Sequence, residues 1–419
     1  MHSVFKLNNG LRVAVESLQG VNSVAVGLWI KNGSRNEDMT NNGISHFIEH
    51  MLFKGTYNRN SKELAEAIED VGGQLNGFTG KESTCFYIKA LKTHLELSLE
   101  VLSDMLFNSK FSDEDIEREK KVIGEEINMT EDSPEDLLSD LHCISIWGDD
   151  SLSLPILGEL NGINSFKREM LLKYVKSHYI PENSVLSICG NVDEKEIEKL
   201  AEKYFGQWEE VNREITNYSK PEIRKDHIYK KKKIEQLHFS LGIPGLPIED
   251  PDLYSLIVLN NIFGGGTSSV LFQKLREEMG LCYSIYSYIS SYNNTGIFSI
   301  YAGLSPKASQ KAIFKIKEEL RDFISLNISD DRLYKAKEQL KGNYFLGNET
   351  PGSKMFSNGK SLLIKNKLLT EDDIMNKIDN ITIASLHKVK NNTLKNGIYN
   401  SAFVGEKFDF ESCKKIISE

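Results

Sequence analysis

The chain has 419 residues, 40% of them hydrophobic and 26% charged, with a formal net charge of −9. That is ordinary globular composition, long enough for two or three domains with real cores. The largest basic block is Lys230–Lys233 and no long apolar run exists, so neither a general nucleic-acid binder nor an inserted membrane protein is expected. The five cysteines, Cys85, Cys143, Cys189, Cys282 and Cys413, are scattered, odd in number and never spaced C-x-x-C. Reduced, buried thiols in a cytoplasmic protein account for that pattern. The N-terminus runs directly into a strand-like segment, with no signal or transit peptide expected.

Phe5–Val15 and Val21–Ile30 read as strands, the second alternating Val24, Val26, Leu28 and Ile30. Asn32-Gly33 reads as a turn. His46-Phe47-Ile48-Glu49-His50 follows. Two histidines four residues apart project from one face of a helix. Two imidazole nitrogens at that spacing can hold one Zn²⁺. Glu49 can lie beside the metal without ligating it, the place for a general base acting on a metal-activated water. The order H-x-x-E-H is the inverzincin signature. A five-residue pattern can arise by chance, so context matters. The residues between the ligands are apolar, Ser45 or Asn42 can cap the helix, and Gly55 can end it.

A second helix is expected over Ser61–Val71, strands over Gln74–Thr79 and Thr84–Ala90, and helices over Thr93–Asn108 and Ser112–Met129. A catalytic zinc takes three protein ligands. Glu119 and Glu126 lie two turns apart on one face of the last helix, with Val122 between them to tuck both carboxylates inward. Composition alone favours a solvated Glu/Lys helix there, and it does not choose between Glu125 and Glu126.

At this point the motifs resemble the insulinase/pitrilysin family of zinc peptidases, most of all the mitochondrial processing peptidase β-subunit branch and its bacterial relatives. The resemblance rests on His46–His50 together with Glu117-Arg-Glu-Lys-Lys-Val-Ile-Gly-Glu-Glu126, and it extends over nearly the whole chain, from Phe5–Val15 to Phe263–Arg276. It implies that Glu126 is the third metal ligand and that Glu119, seven residues earlier, orients or tunes the site. Gly72–Thr79 resembles the family's substrate-pairing edge strand, which implies that Asn76 and Phe78 line a cleft. Leu275–Ser284 resembles an element in which an Arg and a Tyr hold substrate and stabilise the oxyanion; here these are Arg276 and Tyr283. Without the resemblance, those two read as an exposed helix Arg and a core Tyr. Val270 stands where relatives often carry Arg.

Ser184–Gly190 reads as a strand and Glu194–Phe205 as a helix. Apolar periodicity then fades, and Asn212–Asp226 reads as a linker between an N-terminal half (residues 1–211) and a C-terminal half (227–419). The second half repeats the first. Gln236–Gly242 matches the strand before the motif helix, Leu253–Phe263 the motif helix, and Ser329–Asn343 the segment Ser112–Glu126. Leu256, Leu259 and Asn260 then stand for His46, Glu49 and His50, and Ala336 and Asn343 for Glu119 and Glu126. The second half is expected to keep the scaffold and lack the metal. Gly264-Gly265-Gly266-Thr267 lacks the ending of a phosphate loop and reads as a turn.

The expectation is therefore an α+β protein of two homologous α/β-roll halves, which by resemblance form a clamshell around a peptide chamber. It would bind one Zn²⁺ per chain and act as an endopeptidase on unfolded peptides or presequence-like segments. By the same resemblance it would pair as a homodimer. The alternative is a non-catalytic scaffold or partner subunit of a processing-peptidase-like complex, a class whose members typically lose ligands from H-x-x-E-H.

Overall fold

A computed structural model describes residues 2–209 and 218–419, so the first part of the expected linker lies outside the described residues. The chain divides into two compact units. The first contains residues 2–128, 154–209 and 345–370; the second contains 129–153, 218–344 and 371–419.

The sheet of the first unit has six strands: β1 (His2–Lys6), β2 (Arg12–Ser17), β3 (Ser23–Ile30), β4 (Gln74–Thr79), β5 (Thr84–Leu91) and β6 (Ser184–Gly190). Their order is β1-β2-β6-β3-β5-β4. β3 and β6 sit in the middle, covered on both faces, which is why they read as near-continuous apolar runs. The single strand expected over Phe5–Val15 is instead a hairpin. Asn8-Asn9-Gly10 turns the chain, Gly10 adopts φ +95°, and His2–Lys6 pairs antiparallel with Arg12–Glu16.

The second unit has five strands: β7 (His227–Lys231), β8 (Leu237–Pro244), β9 (Cys282–Ser291), β10 (Gly296–Leu304) and β11 (Asn400–Gly405), in the order β7-β11-β8-β10-β9. Without β1, the first sheet reads β2-β6-β3-β5-β4, and the pairings match one for one. β2 is parallel to β6 as β7 is to β11, and every other pair in both series is antiparallel. The repeat read from faint self-similarity is therefore a repeat of topology.

Each sheet carries its main core on one face and a single long helix on the other, and these two helices are exchanged in sequence. Pro351–Lys365, from the second half of the chain, packs on β2, β3 and β6 of the first unit. Pro134–Trp147, from the first half, packs on β7, β8 and β11 of the second. Close approach is built in at the first crossing, where a Cβ on Gly359 would sit 2.1 Å from Trp29 Nε1. The compact units are thus not contiguous stretches, unlike the division drawn from the sequence. Among the described residues no helix is long and apolar enough to cross a membrane.

Candidate metal centre

The motif helix spans Ile44–Leu52 and buries Phe47, Ile48, Met51 and Leu52 in the first unit's core. Burying one face leaves His46 and His50 on the edge of another, with ring centroids 4.5 Å apart. Helix Asp113–Asp132 brings the third group. Its inward side is Ile116, Glu119, Ile123 and Ile127, whereas Val122 is 40% exposed. The sequence reading of Val122 as the residue that tucks the carboxylates in is corrected here: Ile116 and Ile123, one turn either side of Glu119, do so. Glu125 faces solvent, and Glu126 Oε2 lies 3.7 Å from His46 Nε2 and 3.5 Å from His50 Nε2.

One donor atom from each of His46, His50 and Glu126 falls within 4.8 Å of the others. Burial, aided by the neighbouring His50, lowers the His46 pKa to about 3, so that ring is neutral near pH 7. The Glu126 oxygen stands from both ring nitrogens at distances long for hydrogen bonds. Two nitrogens, one carboxylate oxygen and an open side are the donor set of a catalytic Zn²⁺, and these residues fit it.

Behind these three groups, Glu119 is fully buried and its Oε2 lies 3.0 Å from His50 Nδ1. The Lys54 ammonium sits 2.7 Å from Oε1 of the same carboxylate. Burial pushes the Glu119 pKa up, but the His50 and Lys54 contacts outweigh it and the net shift is downward. A carboxylate at that place orients the His50 ring, whose Nε2 faces Glu126.

Glu49 is 9% exposed, and its Oε2 accepts a 2.5 Å hydrogen bond from Thr79 Oγ1 at the end of β4. Burial raises its pKa, opposed by the Thr79 hydrogen bond and by His50. A carboxylate with raised proton affinity and one oxygen pinned is suited to accept a proton. Sequence reasoning missed both Thr79 and Lys54. Thr79 ends an expected strand and Lys54 lies four residues past His50, but neither position announces its partner.

β4 is an edge strand, as the resemblance implied. Asn76 and Phe78 are exposed on it; Phe78 stacks edge-on against Trp29, on the face covered by helix Pro351–Lys365. Arg276 and Tyr283 belong to the second unit, where the guanidinium sits 5.5 Å from the Tyr283 ring centre. Tyr283 is 73% exposed, so it is not the core tyrosine that composition alone suggests. At the second unit's counterpart of the metal cluster, Leu256 and Leu259 are fully buried, Ala336 is buried, and Asn260 accepts a hydrogen bond from Ser287. Asn343 is exposed.

The sequence model for insulinase (peptidase family M16) matches residues 12–159, which include His46, Glu49, His50, Glu119 and Glu126. The model for the peptidase M16 inactive domain matches residues 165–340. An uncharacterised zinc protease of Bacillus subtilis, YmxG, is 42% identical over 90% of this chain and 92% of its own length. A second uncharacterised zinc protease, from Streptomyces coelicolor, is 35% identical over 93% of this chain and 86% of its own. The crystal structure of a protease from Helicobacter pylori superposes with a TM-score of 0.90 at 23% identity, covering 97% of this chain and 99% of that one; at that identity the likeness speaks for the fold. With family models over both halves and close relatives along nearly its whole length, the chain belongs to the insulinase family, peptidase family M16.

Proposed function

We propose that this protein is a zinc-dependent endopeptidase that hydrolyses unfolded peptides or presequence-like segments. The observation that carries the reading is the convergence of His46, His50 and Glu126 beside a buried Glu49 whose second oxygen is pinned by Thr79. His46, His50 and Glu126 would hold the zinc, which when bound supplies a Lewis acid that acidifies water and polarises the scissile carbonyl.

The chain's own groups do the rest. Glu49 accepts a proton from the attacking water and passes it to the departing amine. Its burial makes the carboxylate a stronger base than an exposed one, and Thr79 keeps it aimed. Glu119 holds the His50 ring, and Lys54 holds Glu119. Arg276 is assigned to substrate carbonyls and Tyr283 to the tetrahedral oxyanion. Asn76 and Phe78 are assigned to the substrate strand, on the open edge of β4. The reading includes a homodimer in the cytoplasm.

Zinc content of the purified protein, with digestion of an unbiased peptide library and intact-mass readout, tests the proposal. About one zinc per chain and cleavage lost in Glu49→Gln are expected. A protein with neither zinc nor turnover would belong with the scaffold subunits.

A further inference from the structure

The motif helix starts without a capping side chain. Its N-cap is Gly43, at φ +92°. A Cβ at that position would lie 2.7 Å from both Leu157 O and Ile163 Cδ1, so no capping residue fits there. Yet the first turn of a helix leaves N–H groups without partners, and its dipole favours an anion. Both needs are met from six residues upstream. Glu37 Oε2 accepts from Gly43 N at 2.8 Å and from Asn42 Nδ2 at 3.0 Å, and its Oε1 accepts from Ser45 N at 2.8 Å. Glu37 is 4% exposed, and among the described residues no cation pairs with it. A buried carboxylate in that position is tolerable only when its donors are fixed. One of those donors is the backbone of Ser45, the residue immediately before His46.

The same short segment grips the other side of the site. Ser34 N donates to Gly80 O at 3.2 Å and Arg35 N to Lys81 O at 2.7 Å. The Arg35 guanidinium pairs with Glu82 at 2.5 Å. Gly80–Glu82 is the turn directly after Thr79, the donor to Glu49. Segment 33–37 therefore ties the helix that carries Glu49 to the strand end that carries its hydrogen-bond donor. Ser45 is held from a third direction, since its Oγ accepts from Asn32 Nδ2 at 3.0 Å and Asn32 Oδ1 accepts from Tyr174 OH at 3.0 Å.

We propose that Glu37 is a positioning residue for the metal centre. Its carboxylate caps the motif helix from outside and fixes where His46, Glu49 and His50 stand relative to Thr79. The proposal rests on the zinc-peptidase reading above and deepens it. A residue that served stability alone would lower the melting temperature and leave the folded protein's zinc affinity and turnover unchanged.

Glu37→Gln separates these roles, because the amide keeps the volume but turns one acceptor into a donor facing backbone N–H groups. In the full-length protein, zinc affinity is read by competition with a chromophoric chelator, and kcat and KM are read on one library-derived peptide. The expected result is a folded variant whose zinc affinity and kcat each fall by about 10-fold or more, as for other contacts outside the ligand set, with KM little changed. Should Glu37→Gln not fold, Asn42→Ala removes one donor from the same carboxylate, and a smaller loss in both quantities is expected. Wild-type affinity and kcat in a folded Glu37→Gln or Asn42→Ala protein, beside a wild-type that does bind zinc, would overturn this proposal alone. A wild-type protein that takes up no zinc would overturn the reading beneath it, and this proposal with it.

Discussion

The two units share a strand order and a pattern of parallel and antiparallel pairs, but only the first gathers metal-ligand chemistry among the described residues. Where the first places His46 and Glu49, the second buries Leu256 and Leu259 in its core. Where the first buries Glu119 against His50 and Lys54, the second has Ala336. The contrast shows what a polar site demands of a scaffold. Leucine at these positions needs only space, whereas each buried or half-buried polar group in the first unit needs a partner: Thr79 for Glu49, Glu119 for His50, Lys54 for Glu119. The helix exchange is the other lesson, since each sheet is completed by a helix from the far half of the sequence.

The largest effect is expected from undoing that exchange. A fragment of residues 1–211 would lack helix Pro351–Lys365, uncovering Trp29, Val185, Cys85 and Ala14. It would also carry Leu138, Ile146 and Trp147 without the second-unit surface they bury against. Loss of cooperative melting is expected, and a peptide of residues 345–370 should restore part of it. A fragment that melts like the whole protein and binds zinc stoichiometrically would show that the exchanged helix is dispensable.

Next in size is the chemistry itself. Glu49→Gln should keep zinc and lower turnover by about 10³-fold or more, because the ligands stay and the proton acceptor goes. His50→Ala and Glu126→Gln should lose the metal; zinc retained by Glu126→Gln but lost by Glu125→Gln would move the ligand by one residue. Installing the second unit's residues as His46→Leu, Glu49→Leu and His50→Asn should yield a folded, metal-free protein, by analogy with that unit's intact core.

Tyr283→Phe probes whether the second unit serves the reaction. A fall in kcat on the order of 10²-fold, with zinc untouched, matches loss of one oxyanion donor. Unchanged kcat/KM in both Tyr283→Phe and Arg276→Ala would leave catalysis to the first unit alone. Glu119→Gln should weaken zinc binding or slow turnover by roughly 10- to 100-fold. Wild-type values for both would make its contact with His50 incidental.

A separate effect, on stability rather than on metal or turnover, concerns acid. On the second unit's exchanged helix, His142 is buried beside Asn400, and burial lowers its pKa to about 4. An unfolded histidine titrates near 6.5, so between those values the unfolded chain binds more protons. Stability therefore rises with pH across that window and is lost as pH falls from about 6.5 toward 4, by up to about 3 kcal/mol. The first unit's exchanged helix instead meets Glu16 through Lys354 and Asn358. Urea midpoints at pH 7 and pH 4.5 should drop further for wild type than for His142→Gln; equal drops would remove His142 as the cause.

Much of this was legible in the sequence because it is local. Period and spacing placed β3, β5 and β6 within a residue or two, and four-residue spacing alone put His46 and His50 on one face; the cap expected from Ser45 or Asn42 is instead Gly43. Aligning Leu253–Phe263 with the motif helix and Gln236–Gly242 with the strand before it exposed the repeat, and the shared strand order came from the structure. The Asn8–Gly10 hairpin was misread because alternating apolar residues run through both its arms. Val122 was misread because helix phase gives a shared face without saying which way that face points.

What the sequence determined by itself is the inventory: two imidazoles, a base and acidic candidates at fixed spacings on helices with one apolar side. Tertiary structure decided which of these groups meet. Glu126 rather than Glu125 faces the histidines, Glu119 rather than a solvated neighbour is buried on His50, Thr79 and Lys54 arrive from strand and turn, and helix Pro351–Lys365 closes the first sheet from the other half of the chain. The physical reason is range. Backbone periodicity acts over a few residues and is written in the local order, whereas hydrogen bonds and burial between segments tens to hundreds of residues apart exist only once the chain has packed.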